Sequence, residues 1–151
     1  MLYEKINEEL KVAMKAGDEF KTGLFRMISA AIHNKEIENK GKGKDEKLTD
    51  DEIIEVLTRE AKKRKEAGDI FIKGGRTDLA GKEMAEFEVV KQYLPEQLGE
   101  AEIEKIVLEA VKKTGASDQK NFGKVMAEAM KELKGKADAS LVSRILKSKL
   151  E

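Results

Sequence analysis

Apolar residues recur at intervals of three and four along most of the chain, which places them on one face of successive helices. Segment 39–47, which is rich in glycine and lysine, interrupts this pattern and is predicted to be a solvent-exposed loop. The predicted helices are one that ends at Gly17, one that begins at Asp18, one that begins at the capping box of Thr49, and four at 78–93, 101–113, 122–133 and 139–150.

Composition favours the same class of fold. Charged residues make up 40% of the chain and aromatic residues 5%, and there is a single proline, which is typical of long, charged helices rather than strands. The predicted fold class is therefore all-α.

The only proline marks the predicted domain boundary. Pro95 cannot continue a helix and biases Leu94 toward extended backbone geometry. Residues 1–94 are therefore predicted to form an N-terminal domain of four helices, and residues 95–151 a compact domain of three shorter helices.

The absence of cysteine excludes disulfides, thiolate metal sites and a thiol nucleophile. The first ten residues, MLYEKINEEL, contain no apolar run long enough for a signal peptide or a membrane span. These features predict a soluble cytoplasmic protein with no membrane partner.

Positive charge is concentrated near the end of the chain. Lysine and arginine together number 30, equal to the 30 acidic residues, so attraction for nucleic acid requires a local patch. Segment 111–149 provides one, with ten basic residues against four acidic ones. Clustered cations bind phosphates because displaced counterions supply most of the affinity. The predicted nucleic-acid-binding residues are Lys124, Lys131, Lys134, Lys136 and Arg144.

Three segments resemble the GatB/YqeY family: Tyr93-Leu94-Pro95-Glu96-Gln97-Leu98, Phe122-Gly123-Lys124-Val125-Met126, and Lys134-Gly135-Lys136-Ala137-Asp138 followed by Leu141-Val142. The resemblance extends over nearly the whole chain and is closest to the stand-alone YqeY-type proteins. It implies a helical N-terminal domain joined to the three-helix tail of this family. The same tail ends the B subunit of the glutamine-dependent aspartyl/glutamyl-tRNA amidotransferase, where it holds tRNA.

The resemblance thus implies a tRNA-binding module, with tRNA as partner and a tRNA-dependent amidotransferase or aminoacyl-tRNA synthetase as a further partner. It also implies carbon–nitrogen ligase activity with glutamine as the amido donor. No catalytic residues are predicted, because the chain lacks cysteine and lacks an amidase-type serine-rich loop with a partner lysine.

Two alternatives to RNA binding stay open. In the first, the tail is a protein-interaction adaptor that docks an aminoacylation or amidation enzyme. In the second, its lysines only solvate short helices. At the last helix, Asp138 is predicted to be the N-cap, with a phosphate held at the same helix N-terminus as the alternative.

Other conspicuous residues are predicted to be structural. His33, the only histidine, lies beside the apolar stripe of the second helix and is predicted to pack there. The basic run 62–65 is predicted to be a solvated helix face, with a second RNA contact as the alternative. Glu83 and Glu86 are predicted to be surface charges, with an acid–base pair as the alternative. No Glu-x-x-His pair occurs, so neither a metal site nor a cofactor is predicted.

Overall fold

The computed structural model describes residues 1–45 and 47–150, and within these ranges the chain contains seven α-helices, one short 3₁₀ helix and no strand. The prediction of an all-α fold is confirmed. The helices are α1 (Leu2–Ala16), α2 (Glu19–Gly41), α3 (Asp50–Lys73), α4 (Thr77–Lys91), α5 (Glu100–Thr114), the 3₁₀ helix (Gln119–Asn121), α6 (Phe122–Leu133) and α7 (Ala139–Lys149).

The chain folds as two compact units, an N-terminal unit that spans Met1–Tyr93 and a C-terminal unit that begins at Leu94. The N-terminal unit contains α1 to α4, and the C-terminal unit contains α5 to α7 and the 3₁₀ helix.

Local capping signals set the helix starts in the N-terminal unit. The Asp18 carboxylate accepts a hydrogen bond from the Lys21 amide at 3.0 Å and caps α2. At α3, the Glu52 amide donates to the Thr49 hydroxyl at 3.3 Å, and the Glu52 carboxylate accepts from the Thr49 amide at 2.9 Å. The predicted capping box is therefore confirmed.

The loop predicted at 39–47 begins later than expected, because α2 continues to Gly41. Asn39 is buried, and its side-chain amide donates to the Glu52 carboxylate at 2.9 Å. This hydrogen bond satisfies a polar side chain that the sequence pattern assigned to solvent. Glu46 lies outside the described residues.

Besides the buried Asn39, the core of the N-terminal unit contains one charged cluster. Arg64, within the basic run 62–65, is only 3% exposed and forms ion pairs with Glu60 and Glu86. The prediction of a solvated face is therefore wrong for Arg64, and that of a surface charge is wrong for Glu86. The buried apolar side chains are Ile6, Ala13, Leu24, Phe25, Ile28, Ile32, Ile53, Val56, Leu57, Ala61, Ala80 and Val90.

His33 does not pack against the apolar stripe of α2. Its side chain is 70% exposed, and Nδ1 lies 3.4 Å from the Glu36 carboxylate one turn later. The predicted packing role is wrong, because His33 falls just outside the arc of α2 that carries the buried Ile28 and Ile32.

The C-terminal unit has its own apolar core, formed by the inner faces of its three helices. α6 spans the predicted residues 122–133, and α5 and α7 lie within one residue of their predicted ends. The buried side chains are Ile103, Val107, Ala110, Val125, Ala129, Leu133, Ala137, Val142, Ile145, Leu146 and Leu150.

Candidate nucleic-acid interface

Helix α6 presents two of the predicted cations to solvent. Its buried residues Val125, Ala129 and Leu133 recur every four positions and define the inner face. Lys124 and Lys131 are both exposed and lie opposite that face. Because they are seven residues apart, they lie on the same side of α6, about 10 Å apart along its axis.

The corner between α6 and α7 carries Lys134 and Lys136 on either side of Gly135. α6 ends at Leu133, because Lys134 leaves helical geometry with a φ of −57° and a ψ of 123°, and Gly135 follows in the left-handed region with a φ of 75°. The Lys136 amide donates back to the Leu133 carbonyl at 2.9 Å, which completes a tight turn. Lys134 and Lys136 are therefore held close together at one end of the helix pair.

The segment that follows Pro95 holds this corner in place. The Gln97 side-chain amide donates to the Gly135 carbonyl at 2.7 Å, and the Leu98 amide donates to the Lys136 carbonyl at 2.9 Å. Two of the segments that carry the family resemblance, 93–98 and 134–138, therefore contact each other in the fold.

Arg144 lies on the outer face of α7. The Asp138 carboxylate accepts a hydrogen bond from the Ser140 amide at 3.1 Å, so the predicted N-cap is confirmed. Val142 and Leu146 are buried on the inner face, whereas Arg144 is exposed on the opposite side of the helix. The structure therefore places all five predicted cations at the surface of α6, the corner or α7.

Lys131, one of the predicted cations, is paired with Glu128. Glu128 is within 2.8 Å of Lys113 on α5 and within 2.7 Å of Lys131 on α6. Hydrogen bonds from Lys113 and Lys131 lower the pKa of Glu128 to about 2 from an ordinary value of 4.5. The charge of Lys131 is thus partly compensated at neutral pH. Lys124, Lys136 and Arg144 form no ion pair with any carboxylate in the described part of the chain.

Acidic groups are concentrated on the flank of α6 that faces α5, next to Lys131. A groove of about 230 Å³ between α5 and α6 is lined by Glu109, Glu128 and Glu132 and by a single cation, Lys113. A phosphate is repelled from three carboxylates but not from the outer face of α6 or from the corner. The arrangement of charge therefore restricts an anion-binding surface to the outer face of α6, the corner and α7.

Lys147 is a further cation beside these helices. Its Nζ lies 5.9 Å from the centre of the Phe122 ring, so it connects the end of α7 to the start of α6.

The described residues contain no group of three or more histidines, aspartates or glutamates placed to hold a metal ion. Across the same ranges, no helix has the length and apolar character needed to span a membrane.

A family model described as Yqey-like protein matches residues 3–150. The chain belongs to this family. The match covers both units, so the resemblance inferred from the three segments extends to the whole fold.

Curated relatives of this YqeY-like chain come from yeasts, and each carries the name Altered inheritance of mitochondria protein 41, mitochondrial. The protein of Saccharomyces cerevisiae (strain YJM789) is 31% identical over 125 residues, which covers 80% of this chain and 65% of the relative. The protein of Lachancea thermotolerans is 35% identical over 89 residues, or 59% of this chain and 46% of the relative. This chain therefore spans less than two thirds of these relatives.

The predicted cytoplasmic location is contradicted by these relatives, whose names point to mitochondria instead. The prediction depended on the absence of an apolar leader. Mitochondrial targeting segments are amphipathic rather than continuously apolar, so that absence does not distinguish the two compartments.

Two contacts that shape the surface were not predicted. Gln97 and Gly135 are 38 residues apart, and Glu128 pairs with Lys113 on a different helix. For Gln97 a signal was present, since it lies within the resemblance segment 93–98. For Glu128 the sequence offers pairs only within α6, with Lys124 four residues before it and Lys131 three residues after it.

Proposed function

We propose that the C-terminal unit is a tRNA-binding module that performs no chemistry of its own. The observation that carries this proposal is the position of Lys124, Lys136 and Arg144, which are exposed and form no ion pair among the described residues. Lys131 and Lys134 lie beside them on α6 and at the corner. A cation with no acidic partner binds an RNA phosphate without first breaking an internal ion pair. The counterion of that phosphate is then released, which favours binding.

The lack of a stacking surface favours folded RNA over single strands. Single-stranded nucleic acid is bound through exposed aromatic side chains on which bases stack. Phe122 is the only aromatic residue after Tyr93, and it is half-buried against the core of the C-terminal unit. Double-helical RNA is instead recognised through phosphates and 2′-hydroxyls, for which lysines on rigid helices are sufficient.

The division of the chain is part of the same proposal. In it, residues 1–94 act as a four-helix domain and residues 95–151 as the three-helix tail seen in the GatB/YqeY resemblance. The two compact units support this division. The association of this tail with tRNA amidotransferases in related families supports tRNA as the ligand.

Binding of a fluorescently labelled tRNA mixture at two or more salt concentrations tests the proposal. We expect affinity to fall steeply with salt and the triple variant Lys124→Gln, Lys136→Gln, Arg144→Gln to lose about three units from the logarithmic salt slope. The matched control is Lys21→Gln, Lys73→Gln, Lys82→Gln, which removes three exposed lysines from the N-terminal unit. Equal tRNA affinity for the first triple variant and the wild type would contradict the proposal.

A protein-interaction adaptor is the second candidate, favoured by the groove between α5 and α6. Ile106, Ala110 and Ala129 line it together with carboxylates, so its chemistry suits an amphipathic, basic segment of an aminoacylation or amidation enzyme. A partner captured by the wild type after nuclease treatment and at high salt, but lost with a charge reversal of the exposed groove residue Glu109, Glu109→Lys, supports this function. Loss of all captured protein on nuclease treatment counts against it.

A further inference from the structure

We propose that Gln97 is a positioning residue for the RNA-binding surface: its side-chain amide holds the Gly135–Lys136 peptide of the corner, which adjoins Lys136 and lies one peptide after Lys134. This inference rests on the proposed function. It extends the surface to a residue that carries no charge.

A single nitrogen atom joins two distant parts of the C-terminal unit. The Nε2 atom of Gln97 donates to the Pro95 carbonyl at 2.8 Å and to the Gly135 carbonyl at 2.7 Å. An amide nitrogen carries two hydrogens, so both of its donors are used. The Gly135 carbonyl is thereby fixed relative to the Pro95 ring, whose backbone φ is restricted.

The corner needs a donor from outside the helices. Residues between the end of α6 at Leu133 and the start of α7 at Ala139 have carbonyl groups that no regular helix satisfies. Gln97 supplies the donor for Gly135, and the Leu98 amide supplies the donor for Lys136 at 2.9 Å. The two successive peptides Gly135–Lys136 and Lys136–Ala137, which flank the Lys136 Cα atom, are therefore held by the same short segment.

The side chain of Gln97 does not cap helix α5, which follows it in the chain. The N-cap of α5 is Gly99, and no side-chain hydrogen bond caps this helix. The donors of Gln97 serve carbonyl groups of Pro95 and Gly135 instead. Its effect is therefore on the corner, where fixing the backbone reduces the conformational entropy that two lysines lose on binding phosphates.

A double-mutant cycle tests the inference, with tRNA affinity and thermal stability measured for every variant. Gln97→Met retains side-chain length but removes both donors, and we expect it to weaken tRNA binding about three- to tenfold. The same loss is expected in a Lys124→Gln background, since Lys124 lies at the far end of α6. In a Lys134→Gln, Lys136→Gln background, Gln97→Met is expected to change affinity less than twofold.

Gln119 provides a matched control. Its side-chain amide donates to the Leu150 carbonyl at 3.0 Å, a similar bond in the same unit but at the end of α7. Gln119→Met is expected to leave tRNA affinity within about twofold of the wild type. A general structural role for Gln97 would give the two methionine variants equal effects on affinity.

The outcomes separate the inference from the proposed function. Equal losses from Gln97→Met in both lysine backgrounds overturn the positioning role while tRNA binding stands. No tRNA binding by the wild type overturns both. Recovery of at least half of the lost binding energy by Gln97→His, which retains a ring N–H donor of similar reach, supports the positioning role further, and its failure counts against it.

Discussion

Arg64 and Glu86 form a buried ion pair that joins α3 to α4, with 2.9 Å between the guanidinium Nε and the carboxylate Oε2. The Arg64 Nη1 group also donates to the Glu60 carboxylate at 2.7 Å. The three side chains are no more than 10% exposed. Burial acts to raise the pKa of Glu60, but hydrogen bonds from Arg64 and Lys63 outweigh it and hold that pKa below its ordinary value. One guanidinium thus forms ion pairs with two buried carboxylates.

Replacement of this guanidinium is expected to destabilise the N-terminal unit severely. Arg64→Met leaves Glu60 and Glu86 without their buried partner, and the free energy of unfolding is expected to fall by about 3–5 kcal/mol. Urea denaturation measures the change. Arg59→Met, on an exposed position of the same helix, is the control and is expected to stay within about 0.5 kcal/mol of the wild type. A loss below about 1 kcal/mol for Arg64→Met would mean that the cluster contributes little.

The same cluster shows why the burial of charged residues on α3 could not be predicted from the sequence of α3 alone. The spacing of Glu60 and Arg64 identifies an ion pair on one face of α3, and that pair is present. Its burial depends on α4, which approaches so closely that a Cβ atom added to Gly68 would lie 3.0 Å from the Met84 sulfur. Nothing in the charge pattern of α3 gives the position of α4, so a buried cluster was predicted to be solvated.

At the candidate interface, the features fixed by local chemistry were predictable. The turn at Gly135 and the start of α7 at Asp138 follow from a left-handed glycine and an N-cap, and both are observed. Contacts between helices were not predictable, because the sequence gives no register between α5 and α6. The Lys113–Glu128 pair is such a contact, and it changes the charge available on α6.

Removal of the acid beside Lys131 is expected to strengthen tRNA binding, if the proposed function holds. Glu128→Gln releases Lys113 and Lys131 from ion pairs of 2.8 and 2.7 Å and should raise affinity about two- to fivefold at low salt. Anisotropy titration measures the effect. Glu88→Gln is the control, since it makes the same change of net charge at an exposed position of α4 in the N-terminal unit. An increase of the same size in both variants would indicate net charge rather than the freed lysines.

The pH dependence of stability is expected to report on the same ion pairs. The pKa of Glu128 is lowered in the folded protein, so its contribution to stability is fully present above pH 4.5 and is lost as pH falls toward about 2. The difference in Tm between wild type and Glu128→Gln should therefore be constant above pH 4.5 and shrink through that window. The other carboxylates are present in both proteins, so the difference reports on Glu128 and the lysines that it contacts. A difference that stays constant down to pH 2 would show that the ion pairs do not lower this pKa.

A pair of glycine substitutions is expected to act in opposite directions. Gly135→Ala places a side chain on a residue with a φ of 75°, and the left-handed conformation costs about 1–2 kcal/mol for an L-residue. Gly81 lies within α4, where an added Cβ meets no atom within 4 Å, so Gly81→Ala is expected to stabilise by about 0.5–1 kcal/mol. Thermal and urea unfolding measure both changes. Because Gly135 also fixes the direction of Lys134 and Lys136, Gly135→Ala should weaken tRNA binding at temperatures where the protein remains folded, whereas Gly81→Ala should leave it unchanged.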